Sequence, residues 1–200
     1  MWHEFQPYKT YLAGADIAEG ISGDSSVLYI FDVTDLGNII MCARFSSNST
    51  SLVQFAYVAN KILALYNNPP LAAERNGVSA GMLDSLRITY GYQNIISENK
   101  KNEPGIYSHV SVKGKACLWA RDMMTTSCFG FTIYDKDLLD EFSIFVKKDT
   151  QSMHNVYHAL PGKDSHDDHV MAFIWALYAL HNDRVQKIFT VCETVTTQLN

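Results

Sequence analysis

Apolar and polar positions change period along the chain, and the changes mark out its elements. Residues 9–17 form a short apolar strand that closes on a carboxylate, Asp16, and breaks into a loop at Gly20-Ile21-Ser22-Gly23. Residues 27–33 are β-branched and aromatic and predict a second strand. A Gly-containing hairpin turn over 34–38 leads into a third strand over 39–45. Three strands on short turns predict an antiparallel meander. The Ser/Thr/Asn run at 46–51 then carries helix-start chemistry. Leu52, Phe55, Ala59, Ile62, Leu63 and Tyr66 follow at helical spacing until Asn67-Asn68-Pro69-Pro70.

Residues 71–74 are a short strand after that helix, so the strand is expected to pair in parallel within the same sheet. A helix over 80–89, closed by Gly91, leads to a fifth strand over 94–97 and a polar loop over 98–105. The order βββαβαβ predicts an α/β fold with a mixed five-stranded sheet flanked by helices, not the regular alternation of a doubly wound nucleotide-binding fold. Further on, helical character over 113–124 precedes an extended piece at 129–133. Asp135 caps a helix running to about 147, and 156–160 reads as a strand or hairpin arm. The last strong helix starts at Ser165 and runs to about 181, leaving an unpatterned tail over 184–200. The whole chain is expected to be one domain, 1–200, with its core at about 8–182.

Two hundred residues at 47% hydrophobic content are ample for one core. A net charge of −5 argues against a polybasic nucleic-acid binder, although a carboxylate cluster would itself add negative charge. Cys42, Cys117, Cys128 and Cys192 show no C-x-x-C pairing and sit among apolar residues, so they read as reduced core thiols of a cytosolic protein. No signal peptide opens the chain, and no apolar run approaches the roughly 18 residues of a membrane span.

The candidate chemistry lies in acids. A carboxylate at the end of a buried strand is costly to desolvate unless something pairs with it, and a metal ion is a natural partner. Asp16 also reads as a turn residue or helix cap, and Glu74 as a partner of Arg75 or a solvated strand end. Ser165-x-x-Asp168 reads as a capping box, with Asp167 and Asp168 complementing the helix dipole. Capping leaves His166 and His169, which flank the two acids, unexplained. The element order places strand four beside strand one in the same direction, so Asp16 and Glu74 meet at matching strand ends. The last helix then brings Asp167 or Asp168 across. Hard oxygen ligands of this kind suit Mg²⁺ or Mn²⁺. Two such ions about 4 Å apart can activate water against a phosphodiester and stabilise its leaving oxygen.

The segments Gly14-Ala15-Asp16-Ile17-Ala18-Glu19-Gly20 with Asp24 downstream, Ala73-Glu74-Arg75-Asn76-Gly77-Val78-Ser79, and Gly162-Lys163-Asp164-Ser165-His166-Asp167-Asp168-His169-Val170-Met171 carry a resemblance. In order and spacing the chain resembles the C-terminal nuclease domain of the large terminase subunit of tailed bacteriophages, nearest the T4-like branch, within the RNase H-like superfamily. The H-D-D-x-V-M block is the most specific piece. The resemblance implies an RNase H-like fold and a metal-dependent endonuclease that cuts double-stranded viral DNA during packaging, with Mg²⁺ or Mn²⁺, two ions in the active complex. It matches Asp16, Glu74 and an Asp of the 167–168 pair to the family's metal-binding triad, both members of the pair being taken as ligands or near-ligands. Asp24 matches a loop acid serving a second ion, and His166 the usual residue before the pair. His169 departs from the family, where that position is commonly apolar, and reads as a solvent-facing first-turn residue. The implied partners are the terminase ATPase domain, the small terminase subunit and the portal, in the cytoplasm of an infected bacterial host.

No G-x-x-x-x-G-K-[ST] occurs, and Gly114-Lys115-Ala116 lacks the spacing and the hydroxyl. The chain therefore reads as the nuclease half of a terminase or a standalone relative, with 1–8 as a cut end. Arg75, Lys163, Lys100, Lys101, Lys113, Lys115 and Arg121 are the candidates for sequence-independent DNA backbone contact, Arg75 and Lys163 first because they lie beside the motifs. Two rivals stand beside this reading: a RuvC-like resolvase or transposase core with a different substrate, and a non-catalytic RNase H-like docking module.

Overall fold

The computed structural model describes residues 1–18, 24–98, 103–148, 156–161, 166–183 and 185–187. Three strands form the expected meander: β1 (Tyr11–Asp16), β2 (Ser26–Asp32) and β3 (Ile39–Ser47), paired antiparallel in succession. The turn between β2 and β3 is a 3-10 turn, Leu36–Asn38, capped by Asp35, whose Oδ1 accepts from the Gly37 N–H at 2.8 Å. Helix α1 (Leu52–Leu65) begins at a capping box, in which Ser51 and Gln54 each bond the other's backbone. It ends where Asn67 and Asn68 take left-handed φ of 59° and 52°. Strand β4 (Leu71–Ala73) returns parallel to β1, as the crossover predicts.

Helix α2 (Ser79–Asp84) continues as a π-helical turn, Ser85–Thr89, and Gly91 follows at φ 72°. Helix α3 (Val110–Thr125), strand β5 (Phe131–Thr132) and helix α4 (Lys136–Ile144) come next. They are followed by the antiparallel hairpin β6 (Phe145–Lys148) and β7 (Val156–Ala159), and then by helix α5 (Asp168–Ala179). The main sheet has the order β4-β1-β2-β3-β5.

Three expectations are corrected. Residues 94–97 form no continuous strand but touch the β4 edge through isolated parallel bridges such as Leu71–Ile95, and the fifth strand is β5, parallel to β3. The helix expected to reach 147 ends at Ile144, because the next four residues pair with β7. Helix α5 starts at Asp168 with Asp167 as its cap; the capping box drawn from Ser165 lies outside the described residues. The thiols also divide, with Cys42 and Cys117 buried and Cys128 exposed, while Cys192 lies outside the described residues.

Alternation along the strands sorts the core into two layers. Tyr11, Ala13, Ala15, Leu28, Ile30, Leu71 and Ala73 face α1 and α2, while Leu12, Val27, Tyr29, Phe31 and Ala72 face α3 and α5. Helix α5 is buried almost all round, and it lies so close to β1 that only Gly14 fits beneath it. A Cβ on Gly14 would stand 2.6 Å from the Ala176 Cβ and closer still to the Ala172 carbonyl. Among the described residues, no helix is long and apolar enough to cross a membrane.

Candidate metal centre

The same alternation aims the acids. On β1, Leu12, Gly14 and Asp16 share the α5 side. Ala15 is in register with Ala73 on parallel β4, so Asp16 and Glu74 stand at neighbouring strand ends on one face. Helix α5 crosses that face with its N-terminus at the same end, which brings Asp167 and Asp168 to Asp16. Asp16 is partly buried, and burial first, then the charges of Glu74 and Asp168, hold its carboxyl well above the usual carboxylate range. Glu74 and Asp168 are likewise raised, chiefly by burial.

Hydrogen bonds fix the individual carboxylates. Glu74 Oε1 accepts from Asn76 Nδ2 at 2.6 Å, and Asp168 Oδ2 accepts from the Ser25 N–H at 2.6 Å. Lys113 of α3 reaches in among them, its Nζ 3.6 Å from Asp167 Oδ2. Burial works to depress the Lys113 ammonium, but Asp167, Asp16 and Glu74 outweigh it and the net shift is upward. Asp16, Glu74 and Asp167 thus face Lys113, and Asp168 stands with them beside Asp16.

On the loop side, Asp24, His166 and Asp168 each offer one ligand atom, and the three atoms lie within 4.8 Å of one another. His166 Nδ1 is 2.9 Å from Asp24 Oδ1. His166 carries a ring nitrogen into this group, a role its reading as the residue before the pair did not supply. The donor set is hard oxygen with one imidazole, which fits Mg²⁺ or Mn²⁺. The excess of negative charge over cations is what a divalent ion would neutralise.

Several sequence-based assignments move. His169 is not solvent-facing: it is 5% exposed, with Nδ1 2.6 Å from Tyr29 Oη and Nε2 3.3 Å from Ser46 Oγ. Asp135, which caps α4 as expected, also accepts from Tyr29 and pairs with Arg44 and His169. Arg75 pairs with Asp84, not Glu74, at 3.2 Å and donates to the Pro104 carbonyl. Its side chain is 11% exposed, with the guanidinium held by these two partners. Lys115 lies across α3 from Lys113 and lines a depression of about 390 Å³ with Trp119, Asp122 and His181. Arg121 is exposed and pairs with its neighbour Asp122. Lys100, Lys101 and Lys163 lie outside the described residues. One site residue had no local signal at all. Glu141 of α4 accepts from the His169 and Val170 N–H groups at 2.8 and 3.0 Å, and no spacing rule connects it to residues 28 and 29 positions away.

No family model matches the chain, and no curated protein matches it in sequence. Solved structures do match. The large terminase nuclease of thermophilic phage G20c with bound magnesium aligns at TM-score 0.71 and 21% identity, over 88% of this chain and 84% of that one. The large terminase nuclease domain of Thermus phage P74-26 aligns at 0.66 and 19%, over 90% and 85%. The nuclease domain of the large terminase of bacteriophage SPP1, with bound Mn, aligns at 0.56 and 13%, over 86% and 87%. The chain therefore has the RNase H-like fold of large terminase nuclease domains, matched over 84–87% of the length of these three.

Proposed function

We propose that this chain is a metal-dependent endonuclease that cuts double-stranded DNA during viral genome packaging, as the nuclease of a large terminase subunit. The observation that carries the reading is the convergence of Glu74, Asp167 and Asp168 on Asp16 from three separate elements, with Lys113 among them. The fold shared with terminase nucleases solved with magnesium and with Mn supports it. The motifs quoted above support a place nearest the T4-like branch.

In this reading Asp16, Glu74 and Asp167 would hold one ion, and Asp24, His166 and Asp168 would hold a second. Bound Mg²⁺ or Mn²⁺ supplies Lewis-acid stabilisation of the phosphodiester and lowers the pKa of attacking water. The chain's own residues do the rest. The strand-end acids fix where the ions sit, Ser25 and Asn76 orient the carboxylates, and Lys113 offsets their repulsion while standing where a DNA phosphate would approach. In this reading water is the nucleophile and no side chain forms a covalent intermediate. The partners are double-stranded DNA, bound without sequence preference, and the ATPase domain, small subunit and portal of a packaging machine, in the cytoplasm of an infected host.

The test is nicking of supercoiled plasmid with Mn²⁺, Mg²⁺ or EDTA, comparing the native chain with Asp16→Asn and Glu74→Gln. Metal-dependent nicking by the native chain, reduced in both folded variants to the EDTA background, is the expected result. Variants that cut as well as the native chain would sink the proposal and leave a docking module.

A further inference from the structure

The first turn of α5 is capped by a residue that does not belong to it. A helix leaves its first N–H groups without internal partners, and the side chain at the cap position ordinarily accepts from the second or third of them. Here the cap residue is Asp167, among the most effective capping types, yet its side chain makes no capping hydrogen bond. The second and third N–H groups, of His169 and Val170, both go to Glu141 Oε2. Glu141 reaches them because α4 is docked on α5 by the edge-on contact of Phe142 with Phe173 and by the fully buried Leu138. A carboxylate there also satisfies the positive end of the helix dipole. With those donors occupied, Asp167 is directed elsewhere, toward Lys113 at 3.6 Å and toward Asp16. Asp168 is held separately by Ser25.

We propose that Glu141 is a positioning residue of the metal centre: by capping α5 in place of Asp167, it keeps the Asp167 carboxylate turned toward the ion. This rests on the metal-nuclease reading above. Without Glu141, a turn of the Asp167 backbone from φ −129°, ψ 16° to the extended conformation of a capping residue lets its carboxylate take the vacant donors, so capping and metal binding compete for one carboxylate.

The measurement is Mn²⁺ affinity of the full chain by calorimetric titration, with thermal melting as the check on folding, for the native chain, Glu141→Ala and Glu141→Gln. Loss of an outer partner of a metal ligand commonly costs about 10–100-fold in affinity, and Glu141→Ala is expected in that range, with cleavage recovering in excess Mn²⁺. Glu141→Gln keeps an amide oxygen that accepts both N–H groups and is expected to stay within about threefold of native. If Glu141→Ala does not fold, Glu141→Asp, one methylene too short to reach both donors, carries the same readout. A second readout needs no metal. In EDTA, Asp167→Ala in the native background leaves the Tm unchanged or raises it, whereas in the Glu141→Ala background it lowers the Tm further. Native Mn²⁺ affinity in Glu141→Ala, even with a lowered Tm, would overturn the proposal and leave Glu141 a stabiliser of the fold alone. Absence of Mn²⁺ binding and cleavage in the native chain would instead take down the nuclease reading, and this proposal with it.

Discussion

Asp16 shows how a site residue works against its own fold. Burial and the neighbouring charges of Glu74 and Asp168 raise its pKa, so its ionised form is disfavoured in the folded chain. A carboxyl raised in the folded state adds stability below its unfolded pKa, and that stability is lost as pH rises toward the folded value. At neutral pH without metal, ionised Asp16 is therefore a net penalty. Asp16→Asn is expected to melt higher than the native chain in EDTA at pH 7, by a margin that shrinks as pH falls toward 4. An equal or lower Tm would contradict the account. Asp135 works in the opposite direction. Burial alone would raise it, but hydrogen bonds from His169 and Tyr29 and the charge of Arg44 outweigh burial and hold its carboxyl at about 2. Its stabilisation is present above pH 4 and lost as pH falls through about 2. Asp135→Asn should flatten that acid limb in pH-dependent melts. Arg44 keeps its pair with Asp137 at 2.8 Å, so the cost at neutral pH, read from denaturant unfolding, should be about 1–3 kcal/mol for the lost charge-assisted hydrogen bonds.

At the scale of elements, the site depends on one close packing. Helix α5 rests on β1 at Gly14, and this contact sets where the N-terminus of α5, with Asp167 and Asp168, meets the end of β1 with Asp16. Gly14→Ala forces the two apart. Overpacking commonly costs about 1–3 kcal/mol, and backbone atoms on the far side cannot step aside, so the unfolding free energy read from urea titration should fall by at least that much. Cleavage should fall further than stability accounts for; a variant that unfolds earlier yet binds Mn²⁺ normally would show that the spacing is not critical. The strands and α1 were legible because their residues announce themselves locally: apolar, β-branched and aromatic runs bounded by turn residues in β1 to β3, the Ser/Thr/Asn run at the start of α1, and Asn67-Asn68 at its end. The end of α4 was not legible, since Phe145 and Val146 suit a helix or a strand and only pairing with β7 decides. The fifth strand was misplaced for the same reason, as 94–97 looks more strand-like than Phe131–Thr132 but finds only scattered partners on the β4 edge.

For the molecule as a whole, the net charge of −5 understates the local imbalance, because acids far apart in sequence crowd at one end of the sheet. An ion that binds only the folded chain stabilises it by about 2.7 kcal/mol at 100 times its Kd. In a chain of this length that is a Tm increase of roughly 5–10 °C. Melting curves across a Mn²⁺ or Mg²⁺ series should show the rise in the native chain and its absence in Glu74→Gln. A flat native series would argue that the acids hold no ion.

The sequence by itself determined the meander of the first three strands, the parallel return of β4 beside β1 and hence the neighbouring positions of Asp16 and Glu74. These follow from local periodicity, turn chemistry and the handedness of crossovers. It also singled out the Asp167-Asp168 pair, where acids cluster before an apolar helix. Only the tertiary structure decided that His169 is buried against Tyr29, that Arg75 is committed to Asp84, that His166 stands with Asp24, and that Glu141 caps α5. Each of these is a contact between residues whose separation in sequence follows no period, made only when packed helices and strands bring particular side chains within hydrogen-bonding distance.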